Sequence, residues 1–83
     1  MKTIVLTLAA AKDLDALPQD AREQVEVGLH RYAMTGQGDV KALQGRGGYR
    51  LRIGGYRVIF DEDLSTILAI TIGRRATTTY KRN

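Results

Sequence analysis

Cysteine is absent from the 83 residues, and histidine occurs once, as His30. Without cysteine no disulfide can staple the fold and no thiolate metal site can form, which fits a reducing cytoplasm. One histidine excludes a His-rich zinc site and a Ser-His-Asp triad with a histidine to spare. His30 itself falls in step with Arg22, Glu23 and Glu26 at a polar helical position, the signature of a surface side chain. No apolar run is long enough to span a membrane. Met1-Lys2 followed by the apolar stretch 3–11 faintly resembles a secretion signal with an Ala-rich cleavage site. A helical pattern begins directly after it, and a first strand is the better reading.

What remains is enough for one domain spanning residues 1–83 and no more. A chain of this length buries about 60% of its unfolded surface, so its core is thin. Its 43% hydrophobic content suits a folded domain rather than a disordered tail. The net charge of +4 is unevenly spread. Residues 1–40 carry four basic against six acidic side chains, a net of −2, whereas residues 41–83 carry nine against three, a net of +6. A basic excess confined to the C-terminal half points to a polyanionic partner there.

Ile4, Leu6 and Leu8 alternate with polar or smaller residues and predict a strand. Residues 11–17 read as a short helix with Leu14 and Leu17 facing inward. Pro18 suits the first turn of a second helix, where its missing N–H has no partner to lose, and Asp20 favours the positive end of the helix dipole. Ala21, Val25, Gly28, Leu29, Tyr32 and Ala33 recur on one helical face; Gly36 marks the stop and Gly38 extends the loop. From Tyr49 the period changes to two. Tyr49, Leu51 and Ile53 share one face, Gly54-Gly55 is a hairpin turn, and Tyr56, Val58 and Phe60 continue the apolar face. Residues 61–65 read as an acidic turn, and the β-branched run 67–72 as a central strand with Leu68, Ile70 and Ile72 inward. The expected fold is therefore α+β: an N-terminal strand, a two-helix hairpin, then a three-stranded antiparallel meander, with the helices on one face of the sheet. The first strand's partner is not readable from the pattern.

The hairpin carries the sharpest local inference. A two-residue turn at Gly54-Gly55 sets Arg52 directly opposite Arg57, with Arg50 diagonal to Arg57 on the same face. Like charges in that position cost stability, on the order of tenths of a kcal/mol. A phosphate between them removes the repulsion, and guanidinium forks match its oxygens. Alternation along the last strand adds Thr71, Gly73 and Arg75 to this face. Tyr49 and Tyr56 belong to the core by phase. Tyr80 sits in a polar, basic tail, where a base-stacking role stands beside simple packing on a sheet edge. A solvated basic surface is the bland alternative for the arginines.

The stretch 43–60, Leu-Gln-Gly-Arg-Gly-Gly-Tyr-Arg-Leu-Arg-Ile-Gly-Gly-Tyr-Arg-Val-Ile-Phe, resembles the central signature of RelE-type toxins within the RelE/ParE superfamily. Ile70-Thr71-Ile72-Gly73-Arg74-Arg75 is similar to that family's closing strand, and residues 7–14 with Leu17-Pro18 to its strand-to-helix opening. The resemblance implies a small antiparallel sheet with helices on one side. It implies the toxin of a type II toxin–antitoxin system, a ribosome-dependent endoribonuclease that cuts mRNA in the ribosomal A site and inhibits translation. The RNA's own 2′-hydroxyl attacks the adjacent phosphate, without metal or cofactor. The implied partners are a cognate antitoxin, the ribosome and mRNA, with DNA engaged only through the antitoxin, and no membrane; the implied location is the cytoplasm.

Carried over position by position, the resemblance assigns Arg50 and Arg52 to the basic positions of the signature strand. It assigns Arg57 to the scissile phosphate, Arg75 to the leaving oxygen and, most loosely, Tyr80 to stacking on the substrate base. Arg46, Arg74, Lys81 and Arg82 are expected to contact RNA from the surrounding surface. The chain departs from relatives with Lys or His at the basic positions, and arginines are poor general bases because they stay protonated below a pKa of about 12. Three explanations stay open: positioning and electrostatics supply most of the rate, the ribosome completes the site, or the base is another residue. Asp61 shares the face by parity and reads first as a turn-flanking charge. Two alternatives compete. One is a ParE-like inhibitor of DNA gyrase on the same fold; the other is a non-catalytic nucleic-acid-binding or antitoxin-binding relic.

Overall fold

The computed structural model describes residues 1–45 and 47–74. In chain order they form β1 (Thr3–Leu6), α1 (Leu8–Asp15), α2 (Gln19–Thr35), β2 (Asp39–Ala42), β3 (Tyr49–Ile53), β4 (Tyr56–Glu62) and β5 (Thr66–Arg74). The strands make one five-stranded sheet in the order β1-β5-β4-β3-β2. The α+β class and the β3-β4-β5 meander agree with the sequence. The sheet is mixed rather than antiparallel throughout, because β1 pairs in parallel with β5, Ile4 lying opposite Ile67.

Thr7 stops the first strand at Leu6, two residues before the Leu8 that the alternation includes. Its side chain accepts a hydrogen bond from the Ala10 N–H at 3.0 Å and so caps α1. Leu8 therefore opens a helix instead of continuing a strand, and its side chain is 73% exposed. α2 begins after Pro18 and ends at Gly36, whose φ of 76° is the left-handed conformation a helix stop requires. Ala21, Val25, Leu29 and Ala33 on its inner face are buried, as their spacing predicts, and His30 is exposed. Gly28 belongs to the same face because α2 crosses β3 closely there: a Cβ on Gly28 would lie 2.7 Å from the Ile53 side chain.

The core lies on one side of the sheet. Leu14, Val25 and Leu29 of the helices meet Leu51, Ile53, Val58, Phe60, Ile67, Ala69 and Ile72 of β3, β4 and β5. Tyr49 and Tyr56 pack against this cluster, Tyr49 stacking on Phe60 with ring centroids 5.4 Å apart. At one end of the sheet the Tyr32 hydroxyl donates to the Glu62 carboxylate, at 3.0 Å to one oxygen and 2.9 Å to the other, and Lys2 Nζ pairs with Glu62 Oε1 at 2.8 Å. Burial, then the hydrogen bond to Glu62 and that carboxylate's charge, push the Tyr32 hydroxyl up to about 12.

Two strands depart from the sequence reading. β2 lies where a loop was expected, and Val40 pairs opposite Leu51. In β5 a bulge intervenes: Ile59 faces Thr71 while the next residue, Phe60, faces Ala69, so Ile70 is the extra residue. The alternation reverses there. Ile67 and Ala69 point to the core before the bulge and Ile72 after it, while Leu68 and Ile70, expected inside, are 36% and 37% exposed. β1 has ended by this point, and α1 takes over the strand's edge. The Thr7 hydroxyl donates to the Ile70 carbonyl at 2.7 Å, and Asp13 Oδ2 accepts the Ile72 N–H at 2.9 Å. The acidic turn is also shorter than read, since β4 runs through Asp61 and Glu62. Asp63 then accepts from the Ser65 and Thr66 N–H groups at 2.9 Å each, which holds its carboxyl below the usual carboxylate range.

Candidate nucleic-acid interface

The face of the sheet turned away from the helices carries the cations. Leu51 and Ile53 are buried on the helix side, so strand alternation sends Arg50 and Arg52 to the open side. Val58 and Phe60 do the same for Arg57. The β3–β4 register is the one the Gly-Gly turn implies: Ile53 opposite Tyr56 and Arg52 opposite Arg57. Gly54 takes φ 57° to make that turn, a conformation costly for any residue with a Cβ.

Read across the strands, one row of the open face is Asp39, Arg52, Arg57 and Gly73. The next row is Lys41, Arg50, Ile59 and Thr71. Among the described residues the one ion pair is Lys2 with Glu62, at the other end of β4, so Arg50, Arg52 and Arg57 have no carboxylate within salt-bridge distance. Arg50 is half-buried, and its Nε and Nη2 are covered yet have no hydrogen-bond partner among the described residues. Charged donors held in this state are high in energy until an anion meets them.

Beside Arg57 the face becomes a groove of ≈ 560 Å³ with Ile59, Ile70 and Thr71 along it and Gly73 and Arg74 at its end. The bulge creates its apolar part by turning Ile70 outward. A larger recess of ≈ 610 Å³ lies between α2 and the β2–β3 edge. It is the weaker candidate for a phosphate, because the carboxylates of Asp20, Glu23 and Asp39 line it together with Arg31 and Arg52, which borders it from the β3 edge.

Of the residues singled out from sequence, Arg50, Arg52 and Arg57 are brought together on one face. Arg74 is exposed but pairs opposite Tyr56, so alternation starts its side chain from the helix side of the sheet. Asp61 is on the open face, four residues along β4 from Arg57 and opposite Leu68. Arg46, Arg75, Tyr80, Lys81 and Arg82 lie outside the described residues. Lys41 was missed. It stands on the open face directly opposite Arg50, and the signal that could have found it is its place two residues from Asp39 around the apolar Val40.

No protein-family model and no curated protein matches the chain. Solved structures do. The RelE–RelB complex of Pyrococcus horikoshii superposes with a TM-score of 0.77 at 21% identity, over 93% of this chain and 98% of that one. The isolated RelE toxin of Escherichia coli gives a TM-score of 0.75 at 19% identity, over 94% and 88%. The RelBE2 toxin–antitoxin complex of Mycobacterium tuberculosis gives 0.70 at 23% identity, over 89% and 98%. The chain has a RelE-like toxin fold. No helix among the described residues is long and apolar enough to cross a membrane.

Proposed function

We propose that this chain is the toxin of a toxin–antitoxin pair, a metal-independent endoribonuclease that cuts mRNA at the ribosome and so inhibits translation. The observation that carries the reading is Arg52 opposite Arg57 on the open face of a RelE-like fold, with no carboxylate in salt-bridge reach of either among the described residues. Such a pair is a phosphate cleft: each guanidinium offers a planar fork of donors, and an anion between them cancels their mutual repulsion.

In the reaction, the 2′-oxygen of one nucleotide bonds to the phosphorus on its 3′ side while the bond from phosphorus to the 5′-oxygen of the next nucleotide breaks. The 2′-hydroxyl gives up a proton and the departing 5′-oxygen gains one; the products are a cyclic phosphate and a free 5′-hydroxyl. Negative charge grows on the equatorial oxygens as this proceeds, and donors already aimed at them stabilise it without reorganisation. Arg57 holds that phosphate, and Arg52 completes the cleft from β3. The apolar groove by Ile59 and Ile70 gives a neighbouring base a surface beside the phosphate. The guanidinium groups do not take the 2′-proton, since they stay charged; alignment of the RNA on the ribosome supplies the in-line geometry. Arg75 and Tyr80 keep the roles that the resemblance assigns, at the leaving oxygen and the substrate base.

The partner in this reading is an antitoxin, as in the toxin–antitoxin complexes whose fold the chain shares. DNA is engaged only through that partner, and the site of action is the cytoplasm. The test is induction of the chain alone, followed by primer extension on translated messages. New 5′ ends within coding regions and arrested translation are expected. Intact messages with altered DNA supercoiling would replace this reading with the gyrase one.

A further inference from the structure

β2 adds a cation to the open face at a defined place. Lys41 lies directly opposite Arg50, as Arg52 lies directly opposite Arg57. The two opposed pairs are offset by two residues along the strands and by one strand across the sheet. With a rise of about 3.4 Å per residue and strands about 4.8 Å apart, their centres are about 8 Å apart, a step of roughly one nucleotide of extended backbone. Across β4, Arg50 faces Ile59, so its directly opposite cation is Lys41 and not an arginine of the first cleft. Arg50 also holds two covered nitrogens, Nε and Nη2, without a partner among the described residues.

We propose that Lys41 and Arg50 form a second phosphate-binding position, taking the phosphodiester next to the one held between Arg52 and Arg57. This rests on the RNA-cutting reading above and modifies it. Arg50 becomes a residue that positions the strand from the β2 side, and the RNA crosses the sheet diagonally from β2 toward β4. Asp39 stands on the other side of Arg52 in the first row and limits the path there, because its carboxylate repels a phosphate.

The test uses the whole chain and 2′-O-methyl oligouridines, which cannot be cleaved, two, three and six nucleotides long and without terminal phosphates. The dinucleotide has one phosphodiester and the trinucleotide two. Wild-type protein should bind the trinucleotide more tightly than the dinucleotide. Lys41→Ala should bind the dinucleotide like wild type but lose the gain, about fivefold at low salt, and its salt dependence on the hexanucleotide should flatten by about 0.7 in log–log slope. Arg50→Ala should do the same, and the double variant little more than either, because both side chains hold one phosphate. Lys41→Arg should restore binding. Lys41 is exposed on an edge strand, so an unchanged melting temperature separates these effects from folding. An unchanged slope, or equal weakening of dinucleotide and trinucleotide, would overturn the second position while leaving wild-type cleavage intact. A wild-type protein that neither binds the oligonucleotides nor cuts mRNA would remove the functional reading and this inference with it.

Discussion

Arg52 and Arg57 face each other directly across the β3–β4 hairpin, on the side of the sheet that the helices leave open. In the free protein this pairing works against stability. Arg52→Ala should therefore leave the folding free energy unchanged or raise stability by at most about a few tenths of a kcal/mol, with the melting temperature unchanged or slightly higher, while it lowers RNA cleavage. Thermal unfolding and primer extension on the same preparation check both halves. A marked fall in melting temperature would mean that the guanidinium of Arg52 is a structural group and that the cleft has been misassigned.

Arg57→Ala should relieve growth arrest more than Arg52→Ala, since Arg57 sits between Arg52 and Gly73 in its row and beside the apolar groove. Loss of one preorganised donor to a developing oxyanion lowers such rates by about 100-fold or more. The measurement is the rate of mRNA cutting on purified translating ribosomes, with circular dichroism to show an unchanged fold.

Gly28→Ala should destabilise the protein although alanine is the better helix former. The gain in helix propensity is about 1 kcal/mol. The added methyl, however, would stand 2.7–2.8 Å from three carbons of Ile53, which is itself 9% exposed and cannot retreat into solvent without opening the core. Overpacking of this kind costs about 1–3 kcal/mol, so the net change is a loss, read as a lower urea midpoint. Adding Ile53→Val, which removes one of the clashing carbons, should recover part of it.

Asp13→Ala should cost about 1–2 kcal/mol, because the partly buried Ile72 N–H loses its acceptor. Asp13→Asn keeps an acceptor oxygen and should cost less. Hydrogen exchange of the Ile72 amide is the direct readout, and it should speed up in the alanine variant. The neighbouring Gly73 faces Arg57, so the same variant should also slow cleavage.

The Tyr32 hydroxyl, raised to about 12, gives the fold an alkaline limit. A folded-state pKa above the unfolded value of about 10 means stability fully present below pH 10 and lost as pH rises toward 12. Tyr32→Phe should lower stability at neutral pH by about 1.5–3 kcal/mol, the value of a hydrogen bond to a charged acceptor. It should also make unfolding less steep between pH 10 and 12. Denaturant midpoints measured across that range show whether the slope belongs to Tyr32.

The opposed placement of Arg52 and Arg57 was legible because short-range rules govern it. Tyr49, Leu51 and Ile53 against Arg50 and Arg52 leave one choice of face, and a two-residue Gly-Gly turn leaves one register. The helices were legible for the same reason, through the spacing of Val25, Leu29 and Ala33 and the stop at Gly36. β2 was not. Asp39-Val40-Lys41-Ala42 has one large apolar residue, and its extended state comes from pairing with β3. The bulge was equally hidden. From Ile67 to Ile72 every residue but Thr71 is apolar, so hydrophobicity does not say which side chains turn in. Close approach of α1 does. Thr7 N–H bonds to the Ala69 carbonyl, Ala10 and Ala69 are both fully buried there, and the bulkier Ile70 goes out.

The sequence by itself determined the helix spans to within a few residues, the hairpin and its opposed arginines, and the side of the sheet on which charge would gather, since each follows from periodicity or turn chemistry over a few residues. Only the tertiary structure decided that β1 lies parallel to β5, more than sixty residues away, that β5 carries a bulge, and that β2 sets Lys41 opposite Arg50. Those outcomes depend on which surfaces fit when the helices close over the sheet, and packing between distant segments leaves no local pattern to read.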